Sequence, residues 1–88
     1  MKLTIIRADG SVYRNGTSFH NLNLSFIPEN IHALQWDTDR GWIEFSEDTE
    51  GNRQPNVKID VLPEWATMAI ESWNAANSFV FSANTANT

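Results

Sequence analysis

The segment that most constrains the fold comprises residues 31–46, IHALQWDTDRGWIEFS. Two apolar-rich runs flank a cluster of turn-forming residues, 37–41, and each run carries one tryptophan. Apolar runs of this length on either side of Asp, Thr and Gly are typical of a β-hairpin. We therefore predict a central hairpin in which Trp36 and Trp42 stand on either side of the turn.

Two registers are open to this hairpin. Pairing Trp36 with Gly41 across a four-residue loop places an apolar set on one face, namely Leu34, Trp36, Ile43 and Phe45. Pairing Trp36 with Trp42 instead mixes Glu44 with Leu34 and is less consistent. We prefer the first register, which turns Trp42 to the opposite face beside Ala33, Gln35 and Glu44.

Two earlier turn signals predict further strands. Asp9-Gly10 and Asn15-Gly16 are dipeptides favoured in two-residue type I′ turns, where both central residues need positive φ. They predict strands over residues 3–7, 11–14 and 17–20. Alternation then puts Leu3, Ile5, Val12 and Phe19 on one face, the better core candidate. Residues 22–27 read as an irregular or edge segment.

The hydrophobic period changes at Pro63. A polar loop, 47–56, and a short strand within 57–61 precede it. Beyond it, apolar residues recur at helical spacing on one side: Leu62, Trp65, Ala66, Ala69, Ile70, Trp73 and Ala76. We predict a helix over residues 63–77 that stops at Asn77 or Ser78. Residues 1–78 then form one α+β domain, and residues 79–88 form a flexible C-terminal tail.

Length and charge limit the partners. A chain of 88 residues suits one domain, and without cysteine it has neither a disulfide framework nor a thiolate metal site. The net charge of −5 opposes binding to nucleic acid, because the six basic residues are scattered along the chain. No apolar run is long enough for a signal peptide or a membrane span, which favours the cytoplasm.

The sequence predicts no catalytic residue, cofactor or metal. Asp37-Thr38-Asp39 is similar to the start of a calcium loop, but Trp42 stands where a glycine is needed and no glutamate closes the loop, which favours an ordinary turn. His20 and His32 have no ligand spacing between them. Serines and threonines are frequent but follow no nucleophile motif.

Two surfaces are candidates for binding a protein. One is Trp42 with its neighbours Gln35 and Glu44, where an exposed tryptophan is a typical contact anchor, unless residues 22–27 cover it. The other is an acidic run that can imitate phosphate spacing or serve only as a solvated loop: Glu47, Asp48 and Glu50.

Three groups of residues carry a family resemblance. They are Ile31-His32-Ala33-Leu34-Gln35-Trp36 after a turn with Pro28, Trp42-Ile43-Glu44-Phe45, and Leu62-Pro63-Glu64-Trp65-Ala66 leading to Trp73-Asn74-Ala75-Ala76-Asn77. In these the chain resembles small proteins from the tail or tail-fibre gene region of tailed bacteriophages and prophages. The resemblance spans residues 10–77 and implies a structural or assembly role without catalysis. The chain departs from it after Ser78.

The sequence therefore predicts an α+β fold, a small antiparallel, hairpin-rich sheet with one C-terminal helix packed on one face. The predicted function is a tail-associated structural or tail-fibre assembly protein that acts by protein–protein binding, in the host cytoplasm during assembly or in the virion. Its expected partners are a tail or tail-fibre protein and further copies of itself, with no nucleic acid and no membrane. The alternative is a small acidic inhibitor of a host enzyme or nucleic-acid-binding protein.

Overall fold

The computed structural model of the chain describes the backbone of residues 1–86 and the side chains of residues 1–79. Within this part, the elements are β1 (Lys2–Ile6), β2 (Ser11–Arg14), β3 (Thr17–Phe19), β4 (Ile31–Asp37), β5 (Arg40–Phe45), β6 (Val57–Ile59) and α1 (Glu64–Ala86). The strands form one antiparallel sheet in the order β3-β2-β1-β4-β5-β6. The predicted α+β fold is confirmed.

The second of the two predicted type I′ turns is present and the first is not. Arg14 pairs with Thr17, and Asn15 and Gly16 have φ angles of 49° and 86°, as the predicted turn requires. Ile6 pairs with Ser11, so β1 and β2 are joined by a four-residue loop and the prediction at Asp9-Gly10 is wrong.

Packing around Gly10 explains the longer loop. The amide of Leu22 donates to the Gly10 carbonyl at 2.9 Å, and a Cβ on Gly10 would overlap the Leu22 carbonyl oxygen. The backbone at Leu22 therefore shapes this loop, and the turn preference of the Asp9-Gly10 dipeptide contains no information about that contact. The slip is two residues, so the predicted core face survives: Ile5 still pairs with Val12 and Val12 with Phe19.

The central hairpin has the preferred register. Trp36 pairs with Gly41 and Leu34 with Ile43, and a further pair, Asp37 with Arg40, shortens the unpaired turn to Thr38 and Asp39. Gly41 permits the close approach of β4, because a Cβ there would overlap the Gln35 carbonyl oxygen. An irregularity between Ile31 and Ala33 lets Phe45 join the core side.

Pairing of β1 with β4 joins the two hairpin systems into one sheet. Leu3 lies opposite Trp36 and Ile5 opposite Leu34, which unites the apolar residues of both halves on one side. The buried hydrophobic core consists of Leu3, Ile5, Val12, Leu24, Ile27, Ile31, Ala33, Leu34, Trp36, Phe45, Ala66 and Ala69. Residues 22–27 are irregular, as predicted, and pack on the core side of the sheet through Leu24 and Ile27.

Helix α1 packs on that same core side against β2 and β3. Ala66 and Ala69 are fully buried, and Trp65, Ile70 and Trp73 pack partly buried around them, so the predicted apolar stripe is confirmed. The two alanines let the helix approach the sheet closely, while the larger side chains on either side fill the space next to it.

The predicted helix end at Asn77 or Ser78 is wrong, because α1 continues to Ala86. The chain has no glycine or proline after Pro63, and Ser and Asn alone do not break a helix that is already formed. Residues 79–86 of the predicted flexible tail are therefore helical, and residues 87–88 lie outside the described residues. Phe79 is 76% exposed, consistent with an elongated molecule of 53 × 29 × 19 Å. Among the described residues, no helix has the length and apolar character needed to cross a membrane.

Candidate functional site

The sheet has a second side that faces away from the helix, and we call it the open face. Antiparallel pairing aligns side chains of neighbouring strands in a row across this face. Tyr13 of β2, Thr4 of β1, Gln35 of β4, Trp42 of β5 and Lys58 of β6 are successive Cα partners. With strands about 4.8 Å apart, this row spans about 19 Å.

A second row lies two residues away along the strands. Lys2 pairs with Asp37, and Asp37 pairs with Arg40. Asn15 extends this row, because its side-chain Oδ1 accepts from the Lys2 amide and its own amide donates to the Lys2 carbonyl, both at 2.9 Å. The two rows together cover the end of the open face that adjoins the turn of the central hairpin.

The two middle residues of the first row that lie between its aromatic side chains are polar and less exposed than those side chains. Thr4 donates its hydroxyl hydrogen to Gln35 Oε1 at 2.7 Å, while Tyr13 is 39% exposed and Trp42 is 43% exposed. The two aromatic side chains are therefore the walls of a cleft whose floor is made by Thr4 and Gln35. The cleft has a volume of about 670 Å³ and is also lined by Lys2, Asp37, Arg40 and Lys58.

Trp42 is held in place at the edge of this cleft. Its indole Nε1 donates to Glu44 Oε2, two residues along the same strand, at 2.9 Å. That bond satisfies the polar atom of the indole and limits its rotamers, while the ring remains accessible. Burying a preorganised aromatic ring costs less conformational entropy than burying a free one.

The cleft has a local excess of positive charge in an acidic protein. The cleft lining contains three of the six basic residues of the chain and one of its eleven acidic residues. Arg40 pairs with Asp39 at 3.3 Å in an exposed ion pair. Lys2 and Lys58 form no ion pair among the described residues. Basic residues that are far apart in sequence are thus brought together by the β1–β4 and β5–β6 pairings.

The structure groups only part of the residues predicted to bind a protein. Trp42, Gln35 and Glu44 share the open face, as the register predicted, and Trp42 is not covered by residues 22–27, which pack on the other side. Glu47, Asp48 and Glu50 are exposed but lie outside the cleft lining.

The acidic loop has its own internal order. Asp48 Oδ1 accepts hydrogen bonds from the amides of Glu50 and Asn52, each at 2.9 Å, and the Asp48 carbonyl accepts from the Gly51 amide. Asp48 is therefore a turn-forming residue of the kind that Asp commonly provides. Its carboxylate is less available to a partner than those of Glu47 and Glu50.

One serine and one histidine come within hydrogen-bond distance on the sheet. Ser11 Oγ lies 2.7 Å from His20 Nδ1, and the ring of His20 meets Tyr13 edge-on at 5.5 Å. Ser11 is only 2% exposed, so a substrate cannot reach its hydroxyl group. The pair satisfies a buried polar group and orders the sheet edge beside Tyr13. No group of metal-ligating side chains occurs among the residues whose side chains are described.

Sequence reasoning missed most residues that line the cleft, among them Lys2, Thr4, Tyr13, Arg40 and Lys58. The predicted alternation placed Thr4 and Tyr13 on the correct face, but the pairing of β1 with β4 was needed to put them beside Trp42. Comparison of the chain with models of protein families, with curated proteins and with solved structures found no match.

Proposed function

We propose that this chain is a non-enzymatic protein-binding module that takes part in phage or prophage tail or tail-fibre assembly, and that it contacts its partner through the open face. The observation that carries the binding role is the pair of exposed aromatic side chains, Tyr13 and Trp42, on either side of a polar floor. The helix leaves this side of the sheet uncovered.

The residue types of the cleft favour recognition of a protein. Tyrosine, tryptophan and arginine are the residues most often found at the energetic centres of interfaces, because they bury a large area and keep a polar group for orientation. The cleft has an exposed example of each in Tyr13, Trp42 and Arg40. Glu44 already satisfies the indole N–H of Trp42, so a partner can cover the ring without leaving that donor unpaired.

The assignment to tail assembly rests on the resemblance carried by residues 31–36, 42–45 and 62–77. Those residues build the central hairpin and the first half of α1. They include Trp42 on the open face and Trp65 and Trp73 on the helix side, so the resembling segments contain both the scaffold and the proposed contact residue. The proposed partner is a tail or tail-fibre protein.

The alternative function as an acidic inhibitor has less support. It requires the carboxylates of Glu47, Asp48 and Glu50 to be presented as a set, and Asp48 uses one oxygen to hold its own loop together. Two carboxylates remain, which is a small charge pattern with which to occupy a phosphate-binding site.

Co-expression with the tail and tail-fibre proteins of the same phage or prophage tests the proposal. We expect one of them to copurify with the chain, and Trp42→Ala to weaken that complex at least about tenfold, because loss of a central aromatic anchor typically costs 2 kcal/mol or more. Val61→Ala is the matched control, since Val61 is 73% exposed and does not line the cleft.

Two results would overturn the proposal. One is a folded full-length chain that binds none of the tail proteins. The other is a complex that Trp42→Ala and Val61→Ala weaken equally, which would separate binding from the open face. Light scattering on the isolated chain identifies any self-association, so that a homo-oligomer is not mistaken for a mixed complex.

A further inference from the structure

The chemical character of the cleft indicates what its occupant must supply. The Lys2 and Lys58 ammonium groups have no carboxylate partner among the described residues. The Thr4 hydroxyl hydrogen satisfies Gln35 Oε1, so the Gln35 side chain has its amide hydrogens left to offer to an acceptor. The Asp37 carboxylate is an acceptor in the same lining, but the donors of Lys2, Arg40, Lys58 and the Gln35 amide outnumber it, and an occupant rich in acceptors is complementary to them.

The spacing of these donors can be worked out from the strand pairing. Lys2 is on β1 and Lys58 is on β6, three strands away, and their rows are two residues apart along the strand. Strands about 4.8 Å apart and a rise of about 3.4 Å per residue put the two Cα atoms about 16 Å apart. The apolar rings of Tyr13 and Trp42 border the space between and beside them.

An extended peptide has a matching repeat. Alternate side chains point to the same side, and residues four apart in a strand are separated by about 13 Å. Two acidic side chains at that separation reach the flexible ammonium groups, while the side chain halfway between them lies over Gln35 of the cleft floor, beside the Trp42 ring.

We propose that the cleft binds an acidic, extended segment of the partner protein, in which two carboxylates four residues apart contact Lys2 and Lys58 and an apolar or aromatic side chain between them packs against Trp42. This inference rests on the proposed function and specifies the chemistry of the segment that is recognised.

Single-stranded nucleic acid is a second ligand class that combines negative charge with aromatic rings. The charge of the chain disfavours it. Binding to a phosphate backbone requires several basic contacts along a track, and the repulsion from a net charge of −5 grows with the charge of the ligand, so it opposes a polyanion more than a peptide with two carboxylates. Two unpaired lysines suit a short peptide with two carboxylates better than a continuous row of phosphates.

Fluorescence anisotropy with a labelled five-residue peptide tests the proposal on the full chain. The probe has glutamate at its first and last positions, phenylalanine at the centre and serine between them. Its control replaces both glutamates with glutamine. We expect the glutamate peptide to bind at least about tenfold more tightly than the control at low salt, and the difference to shrink as salt is added.

Charge variants locate the site. The double variant Lys2→Gln with Lys58→Gln should weaken binding of the glutamate peptide about tenfold, whereas Arg53→Gln, a basic residue outside the cleft, should change it less than about twofold. Melting curves of all variants establish that each is folded. Equal binding of the two peptides overturns the proposal, as does an equal effect of Arg53→Gln.

Two other occupants are distinguished in the same assay. Displacement of the peptide by an oligothymidylate that binds more tightly would overturn the proposal in favour of a single-stranded nucleic acid. A dimer of the free chain that dissociates in the double lysine variant would overturn it in favour of a second copy. If the peptide fails to bind while Trp42→Ala still breaks the complex with a tail protein, this inference fails and the proposed function stands.

Discussion

Trp73→Ala removes the side chain through which α1 is attached to the edge of the sheet. The Trp73 indole meets Phe19 edge-to-face with centroids 5.6 Å apart, and the Arg14 guanidinium lies 5.1 Å from its ring centre. Its Nε1 donates to the Thr17 carbonyl at 3.0 Å. Arg14 also reaches the helix by donating to Asn74 Oδ1 at 2.6 Å. One side chain thus joins the helix to β2 and β3.

The expected cost can be estimated from these contacts. Trp73 is partly buried against the core. Burial of about 100 to 150 Å² of indole at about 25 cal/mol per Å² contributes about 2.5 to 4 kcal/mol. The ring contacts and the hydrogen bond overlap with this figure and do not add fully to it. Because the site opens to solvent, no closed cavity remains. We therefore expect a loss of about 3 kcal/mol.

Chemical and thermal unfolding followed by far-ultraviolet circular dichroism measure this loss. In a domain of this size, about 3 kcal/mol lowers the melting temperature by about 12 to 24 °C. Trp73→Phe is the matched control: it keeps a ring against Phe19 and Arg14 but loses the bond to Thr17, and should cost about 1 kcal/mol. A Trp73→Ala protein that melts within about 2 °C of the parent would refute the docking of α1 through this face.

Three backbone positions give further predictions, each checked by urea denaturation. Gly16→Val should cost about 1 to 3 kcal/mol, because a β-branched residue is forced to the φ of 86° while its Cβ meets no neighbour within 4 Å, so the cost is backbone strain alone; an unchanged midpoint would contradict the type I′ turn. Gly41→Ala should cost about 2 kcal/mol or more, because the new Cβ overlaps the Gln35 carbonyl oxygen of the paired strand; a neutral result would contradict the register. Thr38→Gly should stabilise the protein by about 0.5 to 1 kcal/mol, because Thr38 has a φ of 61°, which glycine adopts without strain. The Asp39 amide donates to the Asp37 carbonyl at 2.7 Å, which makes this a tight three-residue turn. A loss of stability would show that the turn is not strained.

Local patterns predicted the faces of the elements well. Apolar alternation at Leu34, Trp36 and Ile43 was enough to choose the hairpin register, because the competing register places a charged residue among core residues. The apolar stripe of α1 follows from helical spacing alone, and Ala66 and Ala69 lie at its buried centre.

Local sequence patterns did not predict which residues line the cleft. The pairing of β1 with β4 joins residues that are 27 to 35 positions apart, such as Lys2 and Asp37, and no turn signal specifies it. That pairing puts Thr4 beside Gln35 and gathers basic residues that look scattered in the sequence. The Asp9-Gly10 turn was mispredicted for a similar reason, since its shape depends on the distant backbone of Leu22.

The four tryptophans provide the most direct test of the central claim that the open face is the recognition surface. Trp42 lies on the open face, whereas Trp36, Trp65 and Trp73 lie on the core side, and each indole N–H gives its own signal in a nitrogen–proton correlation spectrum. On titration with the copurified tail protein, we predict that the Trp42 indole signal shifts or broadens first while the Trp65 and Trp73 signals keep their positions. Selective perturbation of Trp65 or Trp73 with an unchanged Trp42 signal would contradict the account and assign recognition to the helix side.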